Sequence, residues 1–384
     1  MKPFTFQTTK SILSEMGASR RVGELLAAMN CRRVLLVTDK GILNAGLLQP
    51  ALDGLAEHQI TATLYSDVQA DPPEAVILDA VACARTHAVD SVLAIGGGSS
   101  MDVAKLVALL VGSGEDIAGI YGVGNAKGPR LPLILVPTTA GTGSEVTPIS
   151  IVTTGAEEKK GVVTPLLLPD WAVLDAQLTL GLPPQVTAMT GIDAMVHAIE
   201  AFTSKRLKNA LSDLLAKQAL TLLSAHIEAA CTHGRSDPEV RQQMLMGSML
   251  AGMAFANAPV AGVHALAYPI GARFHVAHGL SNSLVLPQVL RFNAEAGAEQ
   301  YAELADILVP TAAGDAQQKT QQLIVYFEAL IDRLQLPTRL SQAGIAEKDL
   351  DALAADVMLQ TRLLINNPRD ITQADARAIY AQAL

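Results

Sequence analysis

The sequence predicts an α/β domain built on a parallel sheet, followed by an all-α domain. Two observations lead to this expectation. Up to about residue 180, short β-rich segments alternate with helical patterns, as they do in βαβ units. From Pro184 onward, runs of β-branched residues become rare, and Ala, Leu and Met dominate. The break at Leu182-Pro183-Pro184 separates the two patterns, so we expect domains at residues 1–182 and 183–384.

The individual elements follow from hydrophobic periodicity. In the first domain, four short apolar runs predict strands at Arg33–Val37, Ile60–Tyr65, Ser91–Ile95 and Leu133–Val136. Residues 74–88 carry apolar positions at helical spacing. In the second domain, the same spacing predicts helices over residues 186–203, 209–232, 238–256, 294–308, 316–334 and 346–358.

Composition narrows the class of protein. The chain has 384 residues, half of them hydrophobic, and 28 basic against 37 acidic residues give a net charge of −9. This balance argues against nucleic acid and anionic membrane surfaces as partners, because both select basic faces. The start of the chain lacks the apolar core of a secretory signal, and three scattered cysteines suit neither disulfides nor a thiolate zinc site. We therefore expect a soluble cytoplasmic protein.

A glycine cluster lies between the third predicted strand and a predicted helix. Gly96, Gly97, Gly98, Ser99 and Ser100 follow SVLAI directly. Glycines allow close approach of the backbone to a ligand, and a new helix offers unpaired N–H groups, so the turn suits a pyrophosphate. The alternative is a tight turn with Ser100 as the helix N-cap. The partial motif at residues 122–124 is predicted to be a loop, since no strand precedes it.

Two other strand ends have polar side chains. Asp39 follows the first predicted strand, where a carboxylate can accept hydrogen bonds from the ribose of NAD and repel a 2′-phosphate. The alternative is an Asx turn. Residues 137–145 are rich in hydroxyls and glycine, which suits a dinucleotide but also an ordinary polar loop.

One carboxylate and three histidines stand out in the second domain. Asp193 and His197 are four residues apart on a predicted helix and therefore share a face, which Glu200 continues. His264 and His278 follow in nearly uncharged segments. A lone histidine is most often structural, but polar groups in apolar segments need partners, and a divalent metal would be one. His275 is a candidate for a group near the substrate.

Taken together, the motifs resemble those of the iron-containing (group III) alcohol dehydrogenases, relatives of glycerol dehydrogenase and dehydroquinate synthase. The resemblance covers nearly the whole chain, and its motifs are VTDKGIL at 37–43, GGGSSMDVAK at 96–105, PTTAGTGSEVT at 137–147, LDAQLTLGLP at 174–183, TGIDAMVHAIEAF at 190–202 and the histidine motifs at 264 and 278. It implies that family's fold, with an NAD-binding α/β domain and an all-helical domain that binds metal and substrate.

The resemblance also implies roles for single residues. The metal ligands would be Asp193, His197, His264 and His278, with ferrous iron or sometimes zinc. The residues implied to bind the cofactor, together with our own candidate Asp102, are Asp39, Gly97, Gly98, Ser99, Asp102, Thr138, Thr139, Thr142 and Lys160. Asp39 would favour NAD over NADP, and the protein would be a cytoplasmic homodimer.

Two positions depart from the family pattern. Tyr268 stands where many members have a histidine linked to proton transfer, and a phenol with a pKa near 10 is a poor base at pH 7. The proton would then leave through water, the cofactor ribose or His275. Asp71 stands where many relatives have asparagine near the adenosine. We take His264, His278, Tyr268 and His275 as the candidate catalytic residues.

The expected activity is hydride transfer between a small primary alcohol or diol and C4 of the nicotinamide, with the substrate oxygen at the divalent metal. Three alternatives remain open at this point. Two are other reactions on the same scaffold, a polyol dehydrogenase and a maleylacetate-type reductase. The third is a sensor that binds NAD without catalysis.

Overall fold

The computed structural model describes residues 3–155 and 158–384. Its strands are β1 Ser11–Ser14, β2 Arg33–Val37, β3 Thr61–Tyr65, β4 Ser91–Gly96, β5 Gly122–Val123, β6 Leu133–Pro137, β7 Ile149–Thr154, β8 Glu158–Val163 and β9 Trp171–Leu174. Its α-helices are α1 Val22–Ala28, α2 Lys40–Asn44, α3 Gln49–Glu57, α4 Glu74–Thr86, α5 Gly98–Ser113, α6 Ile117–Ile120, α7 Pro184–Thr203, α8 Ala210–Thr232, α9 Pro238–Asn257, α10 Gly262–Phe274, α11 His278–Leu308, α12 Ala316–Arg333, α13 Leu350–Val357, α14 Thr361–Leu364 and α15 Gln373–Ala383.

The main sheet has six strands in the order β1-β9-β6-β4-β2-β3, and every neighbouring pair is parallel. The chain passes from β2 to β3 on one side and then returns to β4 on the other side of β2. The order of the strands therefore reverses between β2 and β4, and open parallel sheets bind ligands at the carboxyl ends of the strands beside such a reversal.

The two faces of this sheet bury alternate side chains of its central strands β2, β4 and β6. In β2, Leu35 and Val37 join the hydrophobic core that α4 and α5 complete, whereas Val34 and Leu36 join the core formed with α1 and α3. The central strands β2, β4 and β6 are thus buried on both faces, as in a parallel sheet covered by helices. A smaller sheet, in the order β5-β8-β7, follows in the same unit, with β7 and β8 antiparallel.

The predicted α/β and all-α parts are confirmed, with corrections to single elements. The four predicted strands are present, but β1, β9 and the β7–β8 pair were not predicted. The segment predicted as a loop at residues 122–124 contains the two-residue strand β5, which pairs with β8. In the helical part, α10 was not predicted, and the helix predicted at 294–308 begins earlier, as α11.

The chain divides into two compact units. The sheet unit comprises Gln7–Gly181 and Ser236–Leu245, and the helical unit comprises Leu182–Arg235, Met246–Leu384 and the N-terminal residues up to Phe6. The single predicted boundary at residues 182 and 183 stays a prediction. Among the described helices, none alone combines the length and apolar character needed to span a membrane, although α9 and α10 pass that test as a bent pair.

Candidate functional site

The four side chains predicted as metal ligands converge within the helical unit. Asp193 and His197 lie one turn apart on α7, His264 lies in the first turn of α10, and His278 is the first residue of α11. One potential ligand atom from each side chain lies within 4.8 Å of the corresponding atoms of the other three. Three of the four side chains are buried, while His278 is 42% exposed. The fold therefore brings together residues that are far apart in the sequence.

The donor set fits a divalent cation. One carboxylate and three imidazoles form a borderline ligand set of the kind that iron and zinc prefer. Burial raises the pKa of Asp193, but the attraction of the three imidazoles and a hydrogen bond from Asn282 outweigh it, so the pKa lies below its ordinary value. An ionised carboxylate in a buried setting needs a compensating positive charge, which a divalent metal would supply.

His264 is oriented by a second carboxylate. Its Nδ1 lies 2.7 Å from Oε2 of Glu200, and both side chains are almost fully buried. A carboxylate at Nδ1 favours the tautomer with the proton on that nitrogen. In that tautomer, Nε2 of His264 keeps a lone pair that a metal can use. This nitrogen lies 3.8 Å from Oδ1 of Asp193.

Asn282 is a residue of the cluster that sequence reasoning missed. Its Nδ2 donates to Oδ1 of Asp193 at 2.6 Å and lies 3.3 Å and 3.4 Å from Nε2 of His264 and His278. Its Oδ1 is buried and has no partner among the described residues. The signal was present in the sequence, because Asn282 follows His278 by four residues and helical spacing places both on one face.

Two aromatic rings flank the cluster. Phe255 stacks on His197 with 4.3 Å between ring centroids, and the rings of Tyr268 and His264 form a T-shaped pair with centroids 6.2 Å apart. Tyr268 also lies 5.7 Å from the ring of His278. His275, by contrast, is exposed at the end of α10 with a φ of 53°, and its catalytic role stays a prediction.

Three of the predicted cofactor segments lie along one edge of the main sheet, where β2, β4 and β6 end. The strands β6, β4 and β2 are neighbours, and Gly96 at the end of β4 pairs with Pro137 at the end of β6. Thr138 follows β6, Gly97 follows β4 and Asp39 lies two residues beyond β2. This is the edge at which an open parallel sheet accepts a nucleotide, and it includes the reversal between β2 and β4.

The glycine turn packs against the threonine loop. Gly97 is the N-cap of α5, in place of the alternative cap Ser100, and Gly98 is the first helical residue. A Cβ on Gly98 would lie 2.8 Å from Cγ2 of Thr142, closer than carbon atoms approach one another. A Cβ on Gly97 would meet Oγ1 of Thr139 at 3.8 Å. Glycine at residue 98 thus permits close contact between the two predicted cofactor segments.

Asp102 holds the loop that follows the threonines. Its Oδ1 accepts from the hydroxyl of Ser144 at 2.7 Å, and its Oδ2 accepts from the backbone N–H of Ile151 at 2.9 Å. Lys105, which is fully buried, lies 3.6 Å from the carboxylate and also donates to Ser144 at 2.7 Å. Protein groups therefore occupy both oxygens of Asp102, and direct contact between Asp102 and the cofactor stays a prediction.

Asp39 caps a short helix in this structure. Its Oδ1 accepts from the backbone N–H of Ile42 at 3.0 Å, which corresponds to the alternative of a local turn. Selection of NAD by Asp39 stays a prediction. Lys160 lies on β8 with its Nζ 5.8 Å from the ring centroid of Tyr121, and its contact with the cofactor is likewise a prediction.

Asp71, which departs from the family pattern, has an ionic partner. Its Oδ1 lies 2.5 Å from Nζ of Lys159, and its backbone carbonyl accepts from the hydroxyl of Thr153. The carboxylate is therefore tied to the β7–β8 pair. Its effect on adenosine binding stays a prediction.

Comparison with known proteins covers the whole chain. Residues 9–176 match the family described as iron-containing alcohol dehydrogenase, and residues 187–384 match its C-terminal counterpart. The long-chain-alcohol dehydrogenase 1 of Geobacillus thermodenitrificans (strain NG80-2) is 39% identical over 360 residues, which are 92% of this chain and 90% of that protein. The sulfoacetaldehyde reductase of Bilophila wadsworthia (strain 3_1_6) is 35% identical over 370 residues, 95% of each chain.

Solved structures give the same result. A 1,3-propanediol oxidoreductase superposes with a TM-score of 0.96 at 30% identity, over 100% of both chains. The sulfoacetaldehyde reductase of Bifidobacterium kashiwanohense in complex with NAD+ superposes with a TM-score of 0.90 at 27% identity, over 100% of this chain and 99% of that one. These findings confirm the predicted fold class, the oxidoreductase class and the cofactors NAD and iron. With both parts of its sequence matched and curated relatives aligned almost end to end, the chain belongs to the iron-containing alcohol dehydrogenase family.

Proposed function

We propose that this protein interconverts small, mostly apolar primary alcohols and their aldehydes, with NAD as the hydride carrier. The observation that carries the proposal is the convergence of Asp193, His197, His264 and His278 beside two aromatic rings. These four residues would hold ferrous iron, and zinc suits the same donors. A bound divalent ion supplies Lewis acidity, which lowers the pKa of a substrate hydroxyl toward neutrality.

The residues of the chain would prepare the site for that chemistry. Glu200 would keep the proton of His264 on Nδ1, and Asn282 would hold the carboxylate of Asp193 by its hydrogen bond. The ring of Tyr268 lies near those of His264 and His278, which supports a role for its phenol in passing a proton to or from solvent. The ordinary pKa of a phenol limits it to donation or relay at pH 7. His275 remains the alternative relay.

The cofactor would bind at the carboxyl edge of the main sheet. Gly97 and Gly98 would let the backbone approach a pyrophosphate closely, and the first N–H groups of α5 belong to a 16-residue helix whose dipole favours an anion at that end. Asp39 would accept hydrogen bonds from the ribose hydroxyls and disfavour a 2′-phosphate. Thr138, Thr139 and Lys160 would line the remaining cofactor surface.

The substrate is proposed to be small and uncharged. Relatives carry names that range from a methanol dehydrogenase to a choline dehydrogenase and a 1,3-propanediol dehydrogenase, so membership alone leaves the substrate open. The rings of Phe255 and Tyr268 favour apolar groups beside the cluster. Arg273 is the cation nearest to the histidines in the sequence, and its guanidinium pairs with Asp356 at 2.5 Å. That pairing disfavours Arg273 as a binder of acidic substrates.

The resemblance also supports a homodimer that works in the cytoplasm, and we propose both. Sedimentation of the purified protein would test the dimer. The location would be tested by fractionation of the cells that produce it.

The proposed activity can be tested by absorbance at 340 nm. Enzyme loaded with ferrous iron is mixed with NAD and a panel comprising methanol, ethanol, butanol, a fatty alcohol, 1,3-propanediol and choline, and NADH with sulfoacetaldehyde is assayed in the reverse direction. We expect NAD reduction with short primary alcohols that a chelator abolishes and iron restores. If no substrate of the panel changes the absorbance at 340 nm while NAD still binds, the result would instead support another reaction on this scaffold or a nucleotide sensor.

A single variant links the activity to the cluster. His264→Ala should abolish turnover but still bind NADH, which is measured by NADH fluorescence. His226→Ala is the matched control, because its Nδ1 contacts only a backbone carbonyl of its own helix among the contacts described. Full activity in His264→Ala would remove the cluster from the mechanism.

A further inference from the structure

A buried glutamate lies directly behind one of the proposed metal ligands. Glu200 is 3% exposed and belongs to α7, three residues beyond His197 and seven beyond Asp193. It is not one of the four convergent ligands. We propose that Glu200 is a positioning residue, which presents Nε2 of His264 to the metal and fixes the start of α10. The proposal rests on the metal site of the proposed function.

Three hydrogen bonds to the Glu200 carboxylate support this role. Its Oε2 accepts from the backbone N–H of Ala261 at 2.9 Å and lies 2.7 Å from Nδ1 of His264. Its Oε1 accepts from the backbone N–H of Val263 at 2.6 Å. Ala261 is the N-cap of α10, so the carboxylate binds the end of that helix where the dipole favours a negative charge.

The consequence is that one helix controls three of the four ligands. Asp193 and His197 are part of α7, and Glu200 ties the third ligand to the same helix through both its ring and its backbone. Any change in the Glu200 carboxylate therefore alters the direction of the His264 ring and the placement of α10 together. Outer carboxylates of this kind typically change metal affinity by about 10–100-fold when they are removed.

Glutamine at this position is a sharp test, because it has one acceptor where glutamate has two. If its oxygen faces Val263, its NH₂ group faces Nδ1 of His264 and forces the proton onto Nε2, which blocks the metal. If its oxygen faces His264, the N–H of Val263 loses its acceptor. Either orientation leaves donors facing each other, so Glu200→Gln cannot reproduce all three contacts.

A matched control separates positioning from helix capping. Asn367 accepts from the N–H of Gly262 at 3.2 Å, in the same first turn of α10, and has no described contact with His264. Asn367→Ala should therefore loosen the helix end without changing the tautomer of the imidazole. If the role of Glu200 were purely structural, Glu200→Gln and Asn367→Ala would lose Zn²⁺ affinity in the same proportion to their loss of Tm.

The experiment measures Zn²⁺ affinity by chelator competition, the absorption spectrum of the Co²⁺-loaded protein, and the Tm of the metal-free protein. We expect Glu200→Gln to bind Zn²⁺ at least tenfold more weakly than the wild type and to change the Co²⁺ absorption bands. Asn367→Ala should lose about as much Tm as Glu200→Gln, but its Zn²⁺ affinity should stay within about threefold of the wild-type value. Equal Zn²⁺ affinity of Glu200→Gln and the wild type would overturn the proposal, as would equal losses in the two variants.

Two further outcomes are informative. If Glu200→Gln does not fold, Glu200→Asp, which keeps both oxygens on a shorter side chain, is measured in its place against the same tenfold criterion. If the wild type itself binds neither Zn²⁺ nor Co²⁺, the proposed function fails as well, which distinguishes that failure from one confined to Glu200.

Discussion

Gly279 lies at the contact between α7 and α11, two helices that carry proposed metal ligands. It follows His278 in α11 and packs against the last turn of backbone before Asp193 on α7. A Cβ at this position would lie 2.3 Å from the carbonyl oxygen of Met189 and 2.8 Å from its carbonyl carbon. We predict that Gly279→Ala separates α7 from α11 and greatly weakens metal binding.

The size of the effect follows from these contacts. Nonbonded carbon atoms approach to roughly 3.5 Å, so the added methyl must move about 1 Å away from a backbone that has no rotamer to change. Metal–ligand distances tolerate only about 0.2 Å, and the same Cβ would lie 3.4 Å from Cβ of Asp193. Overpacking of this kind costs about 1–3 kcal/mol of stability.

The assay compares the metal-free Tm and the Zn²⁺ affinity of three proteins. The control is Gly271→Ala, on α10, the helix that carries His264. A Cβ at residue 271 would lie 3.4 Å from its nearest neighbour, the carbonyl oxygen of Val276, which is an ordinary contact distance. We expect the control to keep its Zn²⁺ affinity, and its Tm to rise slightly because alanine favours helix. Gly279→Ala should bind Zn²⁺ at least tenfold more weakly. Its Tm should fall by about 2–4 °C for each kcal/mol of unfolding free energy that the overpacking removes. A Gly279→Ala protein indistinguishable from the control would refute this reasoning.

Two further predictions concern the sheet unit. Asp39→Gly should raise the ratio of kcat/KM for NADP to that for NAD, with little change in Tm because glycine is a tolerable N-cap; an unchanged ratio would remove Asp39 from cofactor selection. Burial raises the pKa of Glu145 to about 7, against an ordinary 4.5, so its folded form holds a proton that the unfolded chain releases. Stability from this group is complete below pH 4.5 and falls by about 3 kcal/mol as the pH rises through 7, and Glu145→Gln should remove that part of the fall in Tm between pH 5 and 8. An equal fall in Tm between pH 5 and 8 in the wild type and in Glu145→Gln would contradict this prediction.

The sequence allowed the central strands of the sheet to be predicted, because burial on both faces leaves uninterrupted apolar runs such as LILV. The outer strand β1 reads SILS and alternates in burial over four residues, too short a pattern to recognise. The helix α10 escaped prediction because Pro269 and Gly271 interrupt its periodicity.

The candidate site divides in a similar way. Asp193 and His197 were predictable because i,i+4 spacing is a local property of one helix. The contact between Glu200 and His264 joins two helices, and no local pattern indicates which carboxylate meets which ring. The resemblance of whole motifs, rather than spacing, grouped the predicted ligands on α7 with those on α10 and α11.

The proposed metal ligands come from three helices, and metal binding at such a site would affect how long the protein survives. An ion that binds only when α7, α10 and α11 are assembled stabilises the native state by about 2.7 kcal/mol at a free concentration one hundred times its Kd. Degradation by proteases follows the population of opened molecules, which this stabilisation reduces by about a hundredfold. The supply of a divalent metal in a cell would therefore influence the abundance of this enzyme as well as its activity.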